Sequence, residues 1–110
     1  NYSVTNGESM VEIPVSVEED IDKVEEILVE HFETMRSKYY LFISNPEVIG
    51  INSITRDEIT LWISAETIPG EGFSGARILR KEILKLFKKH EIQIPKPMMV
   101  QYDANQQNNA

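Results

Sequence analysis

A chain of 110 residues, 41% of them hydrophobic, suits one domain with a real core. Eighteen acids against eleven bases give a net charge of −7 and a pI near 4.8, which argues against nucleic acid and against docking on anionic lipid, since both need a basic face. Zero cysteines exclude disulfides and thiolate metal sites. No apolar run approaches the ~18 residues needed to span a bilayer, and no signal peptide is visible. The first residue is Asn1 rather than Met, so a longer protein with space for a membrane segment upstream is expected.

Residues 1–8 are polar, with a turn signal at Asn6-Gly7, and read as the end of an earlier element plus a linker. Residues 9–17 alternate, with Val11, Ile13, Val15 and Val17 on one face, which predicts a half-buried strand. Pro14 within it implies that one side of the strand is unpaired, or only briefly paired at this point. Glu18, Glu19, Asp20 and Asp22 crowd the start of a helix, with Asp20 the preferred N-cap. Ile21, Val24, Ile27, Leu28, Phe32 and Met35 form its apolar stripe, and the helix is expected to end near Arg36. Residues 37–46 connect onward, and Tyr39 to Ile43 are too apolar to be freely exposed. They are expected to lie on the protein body or on a neighbour.

A second strand is expected over residues 47–54, with Ile49 and Ile51 on one face, then a hairpin turn at residues 55–58. The third strand, residues 59–66, alternates most cleanly. Ile59, Leu61, Ile63 and Ala65 face inward, opposite Thr60, Trp62, Ser64 and Glu66. A loop leads to a second helix over residues 73–89, with Ala76, Leu79, Ile83, Leu86 and Phe87 buried and Lys85, Lys88 and Lys89 near its C-terminus. Ile92 and Ile94 suggest a very short strand. Pro95 and Pro97 then stiffen the chain, and Met98, Val100 and Tyr102 alternate with Met99, Gln101 and Asp103 as another strand. A strand launched past a domain's own edge suggests that a partner chain receives it. The element order, strand-helix-strand-strand-helix-strand, defines the fold class: an α+β, ferredoxin-like βαββαβ sandwich with both helices on one face of a mainly antiparallel sheet.

Gly70-Glu71-Gly72-Phe73-Ser74-Gly75 is a literal G-x-G-x-x-G between strand and helix. The preceding strand alternates instead of being apolar throughout, Glu71 would sit among the phosphates, and the Ile94-Pro95 region lies about 20 residues on, where an acid should bind ribose. A loop with helix-start glycines is the favoured reading. The four acids at residues 18–22 lack calcium-loop spacing, and His31 and His90 have no nucleophile constellation around them. His31 is expected to border the packed helix face and His90 to interact with a helix end. No catalytic set, cofactor or metal site is expected. Trp62, opposite the helix-facing core, indicates either an intersubunit surface or a residue covered by residues 37–43.

With the elements placed, the chain resembles the C-terminal α/β domain of the small-conductance mechanosensitive channel (MscS) family. The resemblance is carried by Asn1-Tyr2-Ser3, by residues 15–24 leading into the acidic helix start, by the hairpin over residues 51–63, and by Ile92-Gln93-Ile94-Pro95-Lys96-Pro97. Glu91 stands where the family commonly has glycine, which is expected to alter the helix exit, Met98 where it commonly has glutamine, and the hairpin lacks the usual glycine. The resemblance implies a domain over residues 9–97 and a barrel strand over 98–103, after the end of a preceding β-domain and linker over 1–8; residues 104–110 match nothing in it, and their polar composition suggests a disordered tail. It implies a homoheptamer in the cell membrane, spanning it through upstream helices, whose cytoplasmic domains ring a vestibule. Such a channel opens under tension and releases ions and small solutes on hypo-osmotic shock. The implied subunit contacts are Pro95, Pro97, Met98, Met99, Val100, Gln101 and Tyr102, and Trp62 is added to them on its strand face alone. Repeated acidity around a ring would favour cations within it. Other classes on the same fold are a stand-alone regulatory or small-ligand-binding module, with residues 70–75 at its ligand, and an acylphosphatase-like enzyme. The latter lacks a basic phosphate loop near the first strand.

Overall fold

The computed structural model describes residues 7–95. Six elements follow in order: β1 (Glu8–Ser16), α1 (Ile21–Phe32), the one-turn α2 (Met35–Lys38), β2 (Glu47–Ile54), β3 (Glu58–Glu66) and α3 (Gly72–Lys89). The sheet order is β1-β3-β2, with β3 antiparallel to both neighbours. The α+β class expected from the sequence is the one observed. α3 lies over β1 and α1 over β2. Val11, Val15, Leu61 and Ile63 face the helices and are fully buried with Leu28 and Leu79. Truncating one such leucine to alanine typically costs about 2–5 kcal/mol.

Among the described residues β1 lies at the edge of the sheet, its outer side only briefly paired, in keeping with Pro14. The Ser16 amide turns away from β3 and donates to the Gln93 carbonyl at 3.0 Å. Pro14 shares that parity, so its missing N–H falls on the free edge and the ladder to β3 loses nothing. The strand stops one residue earlier than expected. Val17 lies outside it and is 39% exposed, because Ser16 turns the chain by accepting the Glu18 amide on Oγ and the Glu19 amide on its carbonyl.

Asp20 caps α1 in extended geometry, and its carboxylate accepts the Lys23 amide at 3.4 Å. The helix ends at Phe32, before the expected Arg36. Thr34 is the cause: its hydroxyl donates to the His31 carbonyl at 2.8 Å, competing with helical continuation. The chain restarts as α2 and drops Met35 into the core. In the connection, Leu41 and Phe42 are buried, and the segment joins the sheet end through Ile43 to Glu66 and Ile68 to Leu41 backbone bonds.

β2 has the expected limits but not the expected face. Register shifts between Val48 and Gly50 and between Ile51 and Ser53 insert bulges. Val48 and Ile51 therefore oppose Ile63 and Leu61, while Ile49 sits in a bulge. Ile49 and Ile51 are 55% and 45% exposed. In β3 the expected alternation holds, with Ile59, Leu61, Ile63 and Ala65 buried.

Candidate functional site

The sequence places its candidate interface where the chain leaves the domain. α3 ends at His90, Glu91 takes φ 56°, and Ile92 turns back onto the core. The Glu91 amide donates to the Lys88 carbonyl and the Ile92 amide to the Phe87 carbonyl. This is a Schellman closure, which ordinarily places glycine at the left-handed position. Glu91 does not reroute the exit; it adopts the conformation glycine would.

The short strand expected at Ile92 and Ile94 does not form. A single sheet-like bond, Ser16 to Gln93, joins this stretch to β1, and the Gln93 amide donates to the Glu19 carboxylate at 2.7 Å. Pro14 removes the next donor along the β1 edge, and Pro95 can donate nothing in return. Ile94 is 46% exposed. Pro95 is half-buried beside Ser16, Val17 and Asp57. Pro97, Met98, Met99, Val100, Gln101 and Tyr102 lie outside the described residues.

Trp62 lies on the sheet face away from the helices, half-buried, between Glu12 and Gly50 in register. Gly50, at φ 143°, has a backbone that L side chains rarely adopt. Asn52 reaches across to Glu12, 2.7 Å from Oε2. Leu41 and Phe42 of the connecting segment over residues 37–43 are buried in the core.

The glycine-rich loop is used for packing. Gly70 takes φ 87°. The buried Ser9 hydroxyl donates to the Gly72 carbonyl at 2.6 Å. A Cβ at Gly75 would stand 2.5 Å from Ser9 Oγ and 2.9 Å from Thr67 Cγ2. These glycines let α3 start hard against β1, and β3, antiparallel to both neighbours, is no parallel strand of a dinucleotide fold. Of the acids near α1, Asp20 caps the helix and Glu19 holds Gln93. Among the described residues no group of three or more His, Asp or Glu is placed to hold a metal ion.

Sequence reasoning missed Glu82. It lies in the buried stripe of α3 with 4% exposure. Its Oε1 meets His31 Nε2 at 2.8 Å, and its Oε2 accepts Lys38 Nζ at 2.9 Å and the Tyr39 hydroxyl at 2.5 Å. Burial pushes this carboxyl up, but the hydrogen bonds from Tyr39, His31 and Lys38, with the lysine charge, outweigh it and hold the group at about 2. The same bond to Glu82 raises Tyr39 and Lys38 above their ordinary values. One carboxylate thus ties α3 to α1, α2 and the start of the connection. The available signal was an acid midway between Leu79 and Leu86 in an apolar stripe. His31 borders the packed face as expected, and His90 is itself the C-cap of α3.

Among the described residues, a three-stranded antiparallel sheet with two long helices on one face and a proline-marked edge strand defines an α+β domain. The sequence profile of the family described as "Mechanosensitive ion channel MscS, C-terminal" matches residues 10–94. The chain belongs to that family. It is similar to a small-conductance mechanosensitive channel of Caldanaerobacter subterraneus subsp. tengcongensis, 28% identical over 89 residues, which are 81% of this chain and 32% of the relative. The chain thus spans about a third of the relative's length. Among the described residues no helix is long and apolar enough to cross a membrane.

Proposed function

We propose that this is the cytoplasmic vestibule and assembly domain of a tension-gated channel, a homoheptamer in the cell membrane that passes ions and small solutes on hypo-osmotic shock. The observation that carries the reading is the exit at Pro95. Prolines deprive both the β1 edge and the departing chain of donors, so a fourth strand cannot extend down the sheet. The alternating residues after Pro97 are then available to partner chains. In this reading Met98, Met99, Val100, Gln101 and Tyr102 are one strand of a small intersubunit barrel, whose closure leaves no strand edge exposed. Pro95 and Pro97 are its stiff connector, and Trp62 belongs to a subunit contact. The role is mechanical and electrostatic, not enzymatic: seven net negative charges per copy enrich cations in an enclosed vestibule, less so at high salt.

Suction on membrane patches holding the intact protein is expected to open a conductance. Silent patches, with insertion verified, would overturn the channel reading. Replacing residues 98–102 by a Gly/Ser run is expected to weaken assembly and leave the monomer's unfolding midpoint unchanged. Unchanged assembly with a less stable monomer would remove the barrel strand.

A further inference from the structure

The two sides of the domain differ in charge and in shape. On α1 and its C-cap, Asp22, Glu25, Val29 and Glu33 occupy the flank turned away from α3, given about 100° per residue and the His31–Glu82 contact marking the α3-facing side. Val29 is 48% exposed within this acidic surround. Beneath α1 runs β2, whose helix-facing Ile51 and Ile54 are 45% and 63% exposed. Val29 on α1 and Ile51 and Ile54 on β2 are thus exposed apolar side chains on the β2 side of the domain, which also carries the acids of α1.

The β1 side has the converse. On α3, Arg77, Arg80, Leu84 and Lys88 recur at three- and four-residue spacing on the flank away from Glu82's partners. Between this flank and the free edge of β1 lies an apolar groove of about 230 Å³, formed by Ile13, Pro14, Ile83, Leu84, Phe87 and Ile94, with Arg80 also lining it. Among the described residues the ion pairs are His31–Glu82, Lys38–Glu82 and Arg56–Asp57, none of which involves either rim.

A closed ring of identical subunits needs two different, complementary surfaces on each copy. We propose that copies of this chain dock head to tail through these two sides, with Val29, Ile51 and Ile54 of one copy packing against the β1–α3 groove of the next. Asp22, Glu25 and Glu33 then face Arg77, Arg80 and Lys88. Pro14 keeps the contact one of side chains, since strand addition needs the donor it lacks. The charges fix which side meets which and the orientation of approach. The proposal rests on the oligomeric reading above and adds the surfaces that meet.

The test uses the intact protein in its membrane, with any cysteine elsewhere replaced, and pairs Ile54→Cys with Leu84→Cys. Both positions are exposed, so the fold tolerates them. Oxidation is expected to give a ladder of disulfide-linked oligomers from the double variant and none from either single one. Adding Arg80→Glu is expected to lower the ladder yield roughly two- to fivefold, and Glu25→Arg to restore it. Absence of the ladder while an amine cross-linker still traps oligomers would overturn these surfaces and leave the oligomer standing. Monomer alone under both treatments would overturn the oligomeric reading, and this proposal with it.

Discussion

Glu82→Gln keeps the shape of the side chain and removes its charge. A carboxyl held at about 2 against an ordinary 4.5 corresponds to roughly 3 kcal/mol of folding free energy. That is an upper figure, because the Lys38 side chain is 50% exposed and water screens its charge. A loss of about 2 kcal/mol at pH 7 is the expectation. The sign follows from the depressed folded value. The contribution is complete above the unfolded carboxyl's ordinary range near 4.5 and is lost as pH falls toward 2. Urea unfolding of the chain, followed by Trp62 fluorescence, measures the difference between wild type and Glu82→Gln. The difference is expected to be large at pH 7 and to shrink between pH 4.5 and pH 2. A constant difference across that window would refute the electrostatic account. No difference at any pH would mean that His31, Lys38 and Tyr39 find equal partners in the amide. Glu82→Leu supplies a second comparison, since apolar replacement of a buried ion pair is often tolerated while its partners here can reach water.

Glu91→Gly is expected to stabilise the domain by roughly 1 kcal/mol, because a left-handed backbone costs a non-glycine residue more than glycine's added unfolded-state freedom takes back. Thermal unfolding reads it, and a lower melting temperature would contradict the Schellman assignment. Gly75→Ala is expected to destabilise by about 2 kcal/mol, as its methyl meets Ser9 Oγ at 2.5 Å. Combining it with Ser9→Ala relieves that contact, so the double variant is expected to lose less than the two single losses together. Strict additivity in denaturant unfolding would show that the clash is not what limits position 75.

β3 was legible because it obeys one rule along its whole length. It is central, buried on one face and half-covered on the other, so alternation and burial coincide. β2 was legible in extent but not in face, because two bulges each shift the side-chain parity and nothing in Glu-Val-Ile-Gly-Ile-Asn-Ser-Ile marks both. The end of α1 turned on one hydroxyl of Thr34, a local bond that apolar periodicity does not see. Ile92 and Ile94 alternate as strand residues do, yet alternation supplies no hydrogen-bond donors, and Pro14 and Pro95 decide the outcome. Glu82 was hidden for a related reason. Its partners come from three elements far away in sequence, and only their convergence makes a buried carboxylate tolerable. At the candidate interface, the sequence located Trp62 on the helix-free face and Pro95 at the exit. The opposed acidic and basic flanks needed the helices' relative placement before they could be seen.

The order β1-β3-β2 also has a consequence during synthesis. Of the six described elements β1 is made first, but its only strand neighbour among them is β3, which the ribosome delivers after α1, α2 and β2. At about 5–20 residues per second, Val11, Ile13 and Val15 wait a few seconds without that cover. Glu12 and Pro14, interleaved with them, act as gatekeepers in the interval: a charge and a missing donor discourage nascent chains on one polysome from zipping together. The residues that shape the finished edge also protect the unfinished one.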